Sequence, residues 1–193
     1  MKKHITTAAL VAATALAVTA CTQAQANEPT QTDPGYTAGQ YEVGTDVPAG
    51  EYVFYAVPDE LGVITVKDGI SADAEELNFS TFHNNNFFTL KEGTYLNVDD
   101  AKFYPVTPDT KVPVADGEAE YRVGIDIPAG EHTFVSTADE DSIMGASVTV
   151  RSDSTHDMGT IITSDFFTGE YRILLEDGQY VELSECTLVE EGE

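Results

Sequence analysis

Alternation of apolar and polar side chains begins at Tyr41 and returns in short runs almost to the end of the chain. Tyr41 and Val43 alternate with Glu42 and Gly44, the period of a half-buried strand. Glu51-Tyr-Val-Phe-Tyr55 resumes it, with Tyr52 and Phe54 on one face. Between them, Asp46-Val-Pro-Ala-Gly50 reads as a turn. Pro48 presets φ for its second position, Gly50 suits its exit, and the Asp46 carboxylate can close onto backbone N–H groups one to three residues ahead. Further alternating runs are Gly62–Lys67, with Ile64 and Val66 on one face, and the two sides of Glu92-Gly93, a dipeptide suited to a hairpin turn. No segment sustains helical periodicity. Ala72–Leu77 has room for one or two helical turns at most.

The same pattern is then repeated. Tyr41–Phe54 and Tyr121–Phe134 are identical at nine of fourteen positions. Gly62–Lys67 matches Ala146–Arg151, and Leu90–Leu96 matches Leu175–Val181, with Asp177-Gly178 as the second hairpin-like turn. The offset grows from 80 to 84 to 85 residues, so the second copy carries small insertions between strands. The segments 68–86 and 152–170 diverge most and read as loops, with Phe82 aligned to Phe167. A repeat of this kind outranks other signals in deciding architecture. The expected fold is all-β: two tandem small β-sandwich or jelly-roll-like repeats. Units this small are marginal alone, so the copies are expected to pack together or to supply one sheet each to a single sandwich.

The expected organisation is a signal peptide at 1–20, a flexible tether at 21–36, repeat 1 at 37–107, a Pro-rich linker at 108–115, repeat 2 at 116–190 and an acidic tail at 191–193. Lys2 and Lys3 precede an apolar run from Ala8 to Ala20 that is too short to act as a stop-transfer helix. Leu16-Ala-Val-Thr-Ala-Cys21 resembles the lipobox of bacterial lipoproteins. By that resemblance Cys21 is the lipidation site, carrying a diacylglyceryl and palmitate anchor, and the protein faces outward on a cell membrane. The alternative is an ordinary secretory signal cut after Ala26. Two acyl chains anchor stably where one is marginal. Thr22–Tyr36 has no apolar period and reads as a tether.

Charge narrows the partners. The formal net charge is −25, and loss of Lys2 and Lys3 leaves seven Lys and Arg against 34 Asp and Glu. Such a surface repels nucleic acid and anionic headgroups. The acidic residues are spread through both copies and read as a solubilising surface, with attraction to cations or basic peptides as the functional alternative. The lipoprotein resemblance implies an envelope protein or glycan as ligand, beside the membrane reached through Cys21. The remaining cysteine, Cys186, aligns with Ala101, which fits a small buried position rather than a nucleophile.

The sequence lacks the common catalytic and nucleotide-binding motifs. There is no Gly-x-Ser-x-Gly elbow, His-Glu-x-x-His pair or P-loop, and His83, His132 and His156 are not shared between copies. No cofactor and no catalytic residue is expected. The repeated positions Gly44, Asp46, Pro48 and Gly50, with Gly124, Asp126, Pro128 and Gly130, read as structural turn residues. The alternative is a ligand or metal site built from Asp46/Asp126 and Glu51/Glu131. Asp153–Asp157 lacks calcium-loop spacing, Asp99-Asp100 and Asp139–Asp141 read as solvated loops, and His83–Asn86 reads as a loop tip.

Taken together, Tyr-x-Val-Gly-x-Asp-[Ile/Val]-Pro-Ala-Gly-Glu, a Val-Thr-Val strand and Leu-x-[Asp/Glu]-Gly-x-Tyr-[Leu/Val] resemble a small domain of Gram-positive surface proteins and lipoproteins that has no established activity. The resemblance spans nearly all of residues 39–189. It implies a cell-envelope setting and a non-enzymatic module that binds or spaces. The alternative is a cell-envelope hydrolase that uses acidic residues as acid and base.

Overall fold

The computed structural model describes residues 35–71, 73–114, 118–139, 142 and 145–189. Cys21, the leader, most of the tether and the acidic tail lie outside the described residues.

The fold is all-β. Repeat 1 contains β1 (Gly39–Glu42), β2 (Gly50–Ala56), β3 (Gly62–Lys67), β4 (Glu76–Phe82), β5 (Asn85–Leu90), β6 (Tyr95–Asp99) and β7 (Ala101–Pro105). They form a four-stranded sheet, β1-β6-β3-β4, and a three-stranded sheet, β5-β2-β7. Repeat 2 contains β8 (Ala119–Arg122), β9 (Gly130–Ser136), β10 (Ala146–Arg151), β11 (Ile161–Phe167), β12 (Glu170–Leu175), β13 (Tyr180–Ser184) and β14 (Cys186–Leu188). Their order, β11-β10-β13-β8 and β12-β9-β14, is the same arrangement strand for strand. All strand pairs are antiparallel. Even the irregularities coincide: β3 and β10 each slip register at the last residue pair, Val66/Lys67 and Val150/Arg151.

Each repeat is a sandwich because alternate side chains of both sheets point inward. In repeat 1, Tyr52 and Phe54 of β2 and Phe103 of β7 meet Ile64, Val66, Leu96 and Val98 of the facing sheet. Phe54 stacks on Phe103 with ring centroids 4.8 Å apart. Phe134, Val148, Val150, Val181 and Leu183 fill the same role in repeat 2.

The repeated motif is a corner between sheets and not a hairpin. β1 and β2 belong to opposite sheets, as do β5 and β6, so Glu92-Gly93 and Asp177-Gly178 are also sheet-to-sheet crossings. The tight turn covers Gly44–Asp46, earlier than the Asp46–Gly50 expectation. Val43 and Val47 bridge across it, Gly44 N–H donates to the Val47 carbonyl at 2.7 Å, and Gly44 sits at φ 96°. The Asp46 carboxylate reaches backward, accepting from Glu42 N–H at 2.8 Å. It does not close forward. Alternation alone cannot separate these geometries, because a strand turning into its own sheet and one crossing to the facing sheet bury the same face.

Four other expectations are corrected. The divergent segments are not loops throughout, since each contains an edge strand, β4 or β11. Glu76 and Leu77, read as the end of a helical turn, are extended in β4. Tyr36, read as tether, bridges Phe103 and stacks on it at 4.9 Å. The Pro-rich stretch is packed rather than free. Thr110 and Val112 are buried, and Val112 N–H donates to Asp126.

The repeats pack face to back. The outward face of β5-β2-β7, carrying Val53, Tyr55, Phe87 and Tyr104, joins one continuous core with repeat 2. Its polar rim is built around β8. Glu120, 0 % exposed, accepts from Phe87 N–H at 2.6 Å, and Asn84 and Asn85 donate side-chain amides to the carbonyls of Glu118 and Glu120. The Arg122 guanidinium lies 4.6 Å over the Phe87 ring, and the Tyr180 ring meets Phe87 edge-on at 5.9 Å. His83–Asn86 is therefore part of an interface, in contrast to the loop tip expected from its composition.

Candidate binding groove

Two equivalent faces have opposite fates. In repeat 2, the outer face of β8, β13 and β10 presents Glu120, Arg122, Tyr180, Glu182 and Arg151, and repeat 1 sits on it. In repeat 1 the same positions are Gln40, Glu42, Tyr95, Asn97 and Lys67, as the strand registers show. Nothing among the described residues covers them. All four residues of β8 are buried, whereas none of β1 is.

The uncovered face is the floor of a groove of about 550 Å³. Thr65, Tyr95 and Asn97 lie on it, Glu42, Asp46 and Lys67 border it, and the loop carrying Gly69, Ile70 and Ser71 overhangs one side near Glu76. Ile70 is 79 % exposed. Asn97 is oriented by donating its side-chain amide to Asp99 at 2.8 Å. The floor follows from strand geometry: Thr65, Tyr95 and Asn97 are the positions left outward when Ile64, Val66, Leu96 and Val98 face the core. A half-exposed ring beside an amide, a hydroxyl, an ammonium and carboxylates can stack on and hydrogen-bond a polar partner.

The turn residues divide between the copies. Pro48 and Pro128 lie just beyond the turn, and their carbonyls accept from rings four residues on: Tyr52 Oη at 2.8 Å and His132 Nε2 at 2.8 Å. Because a carbonyl only accepts, His132 carries its proton on Nε2. Gly50 and Gly130 open β2 and β9. Asp46 borders the groove. Asp126, in contrast, is 0 % exposed at its side chain and holds Arg122 through Nε at 2.9 Å and Nη2 at 3.1 Å, while also accepting from the N–H groups of Arg122 and Val112. Arg122 then donates to the Thr110 carbonyl. This ion pair fastens the linker to repeat 2. Within repeat 1, Asp46 borders the groove while Glu51 faces the repeat interface, so the two form no common site. Within repeat 2, Asp126 and Glu131 line one smaller hollow, but Asp126 is committed to Arg122.

Glu51 serves the repeat interface. Its carboxylate accepts from Ser154 Oγ at 2.8 Å and from the Tyr180 hydroxyl. Burial, with the Glu51 carboxylate beside it, pushes the Tyr180 phenol far above its ordinary range, so it stays protonated and donates. The segment Asp153–Asp157 is a clasp on repeat 1. Thr89 and Ser154 hydroxyls lie 2.9 Å apart, His156 Nε2 donates to the Phe87 carbonyl at 2.9 Å, and Lys91 pairs with Asp157 at 2.9 Å. That ion pair holds the Asp157 carboxyl below its usual range. Among the described residues, no group of three or more His, Cys, Asp or Glu is placed to hold a metal ion. Cys186 is fully buried, and burial pushes its thiol up to about 11. At that value it is neither a nucleophile nor a ready ligand at neutral pH.

Sequence reasoning missed Thr65, Tyr95, Asn97 and Lys67 as a set. Their outward parity was readable, but which of the two outer faces stays open depends on how the copies dock. No family model and no curated protein sequence matches this chain.

Proposed function

We propose that the protein is a lipid-anchored, extracytoplasmic, non-enzymatic module of a bacterial cell envelope, and that it binds through the outer face of β1-β6-β3-β4. The supporting observation is that the equivalent face of repeat 2 is a working contact surface, while that of repeat 1 is open as a groove. The anchor rests on the lipobox-like sequence ending at Cys21, and the ligand class, an envelope glycan or protein, on the acidic charge and the groove lining. The test uses the full chain with Cys21→Ser, immobilised and exposed to separated envelope glycan and envelope protein. Retention should fall at least about tenfold, or 1.4 kcal/mol, in Tyr95→Ala/Asn97→Ala. It should be unchanged in Ile125→Ser, which alters an exposed turn residue. Equal retention by both variants, or no retention by the parent, refutes the groove as a binding face. In cells, Cys21→Ser should leave the membrane fraction or remain unprocessed, and membrane fractionation as before would refute the anchor.

Glu42, Asp46 and Glu76 around the groove favour the second reading, an acid–base hydrolase. Asp46 is already engaged in holding the Glu42 N–H. Turnover of envelope glycan that is abolished by Glu76→Gln would decide for that reading.

A further inference from the structure

The contact between the repeats is heterologous. The back of a three-stranded sheet, in repeat 1, sits on the outer face of a four-stranded sheet, in repeat 2. Such a contact leaves one unused face of each kind, the groove of repeat 1 and the outer face of β12-β9-β14 in repeat 2. Heterologous contacts generate rings where the rotation closes and open chains where it does not.

Three pairs of side chains that make the internal contact can be followed to their equivalents on the two unused faces. The strand registers fix the correspondence for the residues within strands. Ser154 is equated with Ile70 by position, each three residues beyond the end of its strand at Arg151 or Lys67. Tyr180 donates to Glu51 inside the molecule. On the unused faces the same positions are Tyr95 and Glu131, so this pair is retained. Arg122 lies over Phe87 inside the molecule, and the corresponding positions are Glu42 and Arg172. Both members have changed, and the new pair is of opposite charge. Ser154 contacts Thr89 through their hydroxyls, and the corresponding positions are Ile70 and Leu174. Again both have changed, and the new pair is apolar on both sides, 79 % and 67 % exposed. Each pair stays complementary in its new chemistry, although its members lie on opposite repeats of one chain and do not touch there.

We infer that the occupant of the groove is a second copy of this chain, which docks its β12-β9-β14 face there and so builds head-to-tail assemblies. This rests on the reading of the groove as a contact face. The docking face is less apolar than its internal counterpart, with Thr133 and Arg172 where Val53 and Phe87 stand. The contact between copies is therefore weaker than the internal one and depends on concentration. Arg172 is 66 % exposed, with Glu170 at 3.7 Å as its present partner, so exchanging its charge leaves the core intact.

The experiment is sedimentation velocity of the full chain with Cys21→Ser, from about 5 to about 500 µM. The average mass should climb past that of two chains without reaching a plateau. Glu42→Arg alone and Arg172→Glu alone should each stay at one chain. The double variant should regain open-ended growth. An equimolar mixture of the two single variants should also regain open-ended growth, with the two alternating, because each groove then matches the docking face of the other variant. A parent that remains a single chain throughout, single variants that assemble like the parent, or a mixture that stays at one chain would each overturn the inference. A parent that stays monomeric but still retains an envelope component through Tyr95 and Asn97 would reject self-docking while leaving the groove a binding face. Failure of both measurements would reject both.

Discussion

At the scale of the residue, duplication has separated two aspartates that the sequence presents as equals. Asp46 accepts one backbone N–H at an exposed corner, whereas Asp126 is sealed from solvent and gathers four donors from Arg122 and Val112. Asp46→Asn keeps an amide oxygen for its single bond and should cost about 0.5 kcal/mol or less. Asp126→Asn removes a charge that a buried guanidinium requires, which costs about 3–5 kcal/mol when one member of a buried pair is lost. Two equivalent turn residues would make both changes mild, and the burial of Asp126 predicts a large loss in the second copy only. Chemical denaturation of the two variants checks it, and equal losses would contradict the geometry. The difference was half legible: Arg122 replaces Glu42 at the aligned position, but its burial under the linker depends on Thr110 and Val112, which lie outside the repeat.

At the scale of the element, the strands that bury a regular face were legible and the edge strands were not. β3 and β10 alternate in sequence as they do in burial. β4 does the reverse, exposing Leu77 and Phe79 at 46 % and 54 % while turning Asn78 and Ser80 inward. β11 likewise exposes Ile162 and Phe166. An edge strand covered on one side only gives hydropathy little to report. The corner was legible in its residues but not in its direction. Gly50 and Gly130 open their strands at φ 149° and 140°, conformations that strain any residue with a Cβ, although both sites have open space around that position. Gly50→Val should thus cost on the order of 1–3 kcal/mol through backbone strain alone. Since no neighbour has to move, Gly50→Ala should cost nearly as much. Thermal midpoints of both variants test this, and an alanine variant as stable as the parent would show that the φ value is not required.

At the scale of the whole molecule, the sequence contains two domains, and the structure joins the back of the first to the core of the second while the first keeps an interior of its own. The internal repeat shows that two sandwiches exist, but not which of their four outer faces meet, because that choice lies in single residues such as Val53 and Phe87, buried, against Thr133 and Arg172 at the same positions. With Val53, Tyr55, Phe87 and Tyr104 buried against repeat 2, separating the copies would expose apolar side chains worth roughly 1.5–3 kcal/mol each. Neither small sandwich has that much stability to lose, so the intact chain should unfold in one calorimetric transition with equal calorimetric and van't Hoff enthalpies. The same interface gives the transition a pH dependence. His156 is 5 % exposed at its side chain and lies 3.8 Å from the Glu120 carboxylate. Burial lowers its pKa, but the neighbouring Glu120 carboxylate outweighs that, with Arg151 opposing and Glu182 adding, so the group is held above its ordinary value. A histidine whose folded pKa exceeds its unfolded value of about 6.5 adds stability that is complete below that value and is lost as pH rises through the folded one. The Tm of the single transition should accordingly fall as pH rises above about 6.5. His156→Gln should lower the Tm at pH 6, by about 1–3 kcal/mol in stability, and flatten the slope. Two separate transitions would show that the repeats are independent. A single transition with the same slope in His156→Gln would place the proton elsewhere than between the two sandwiches.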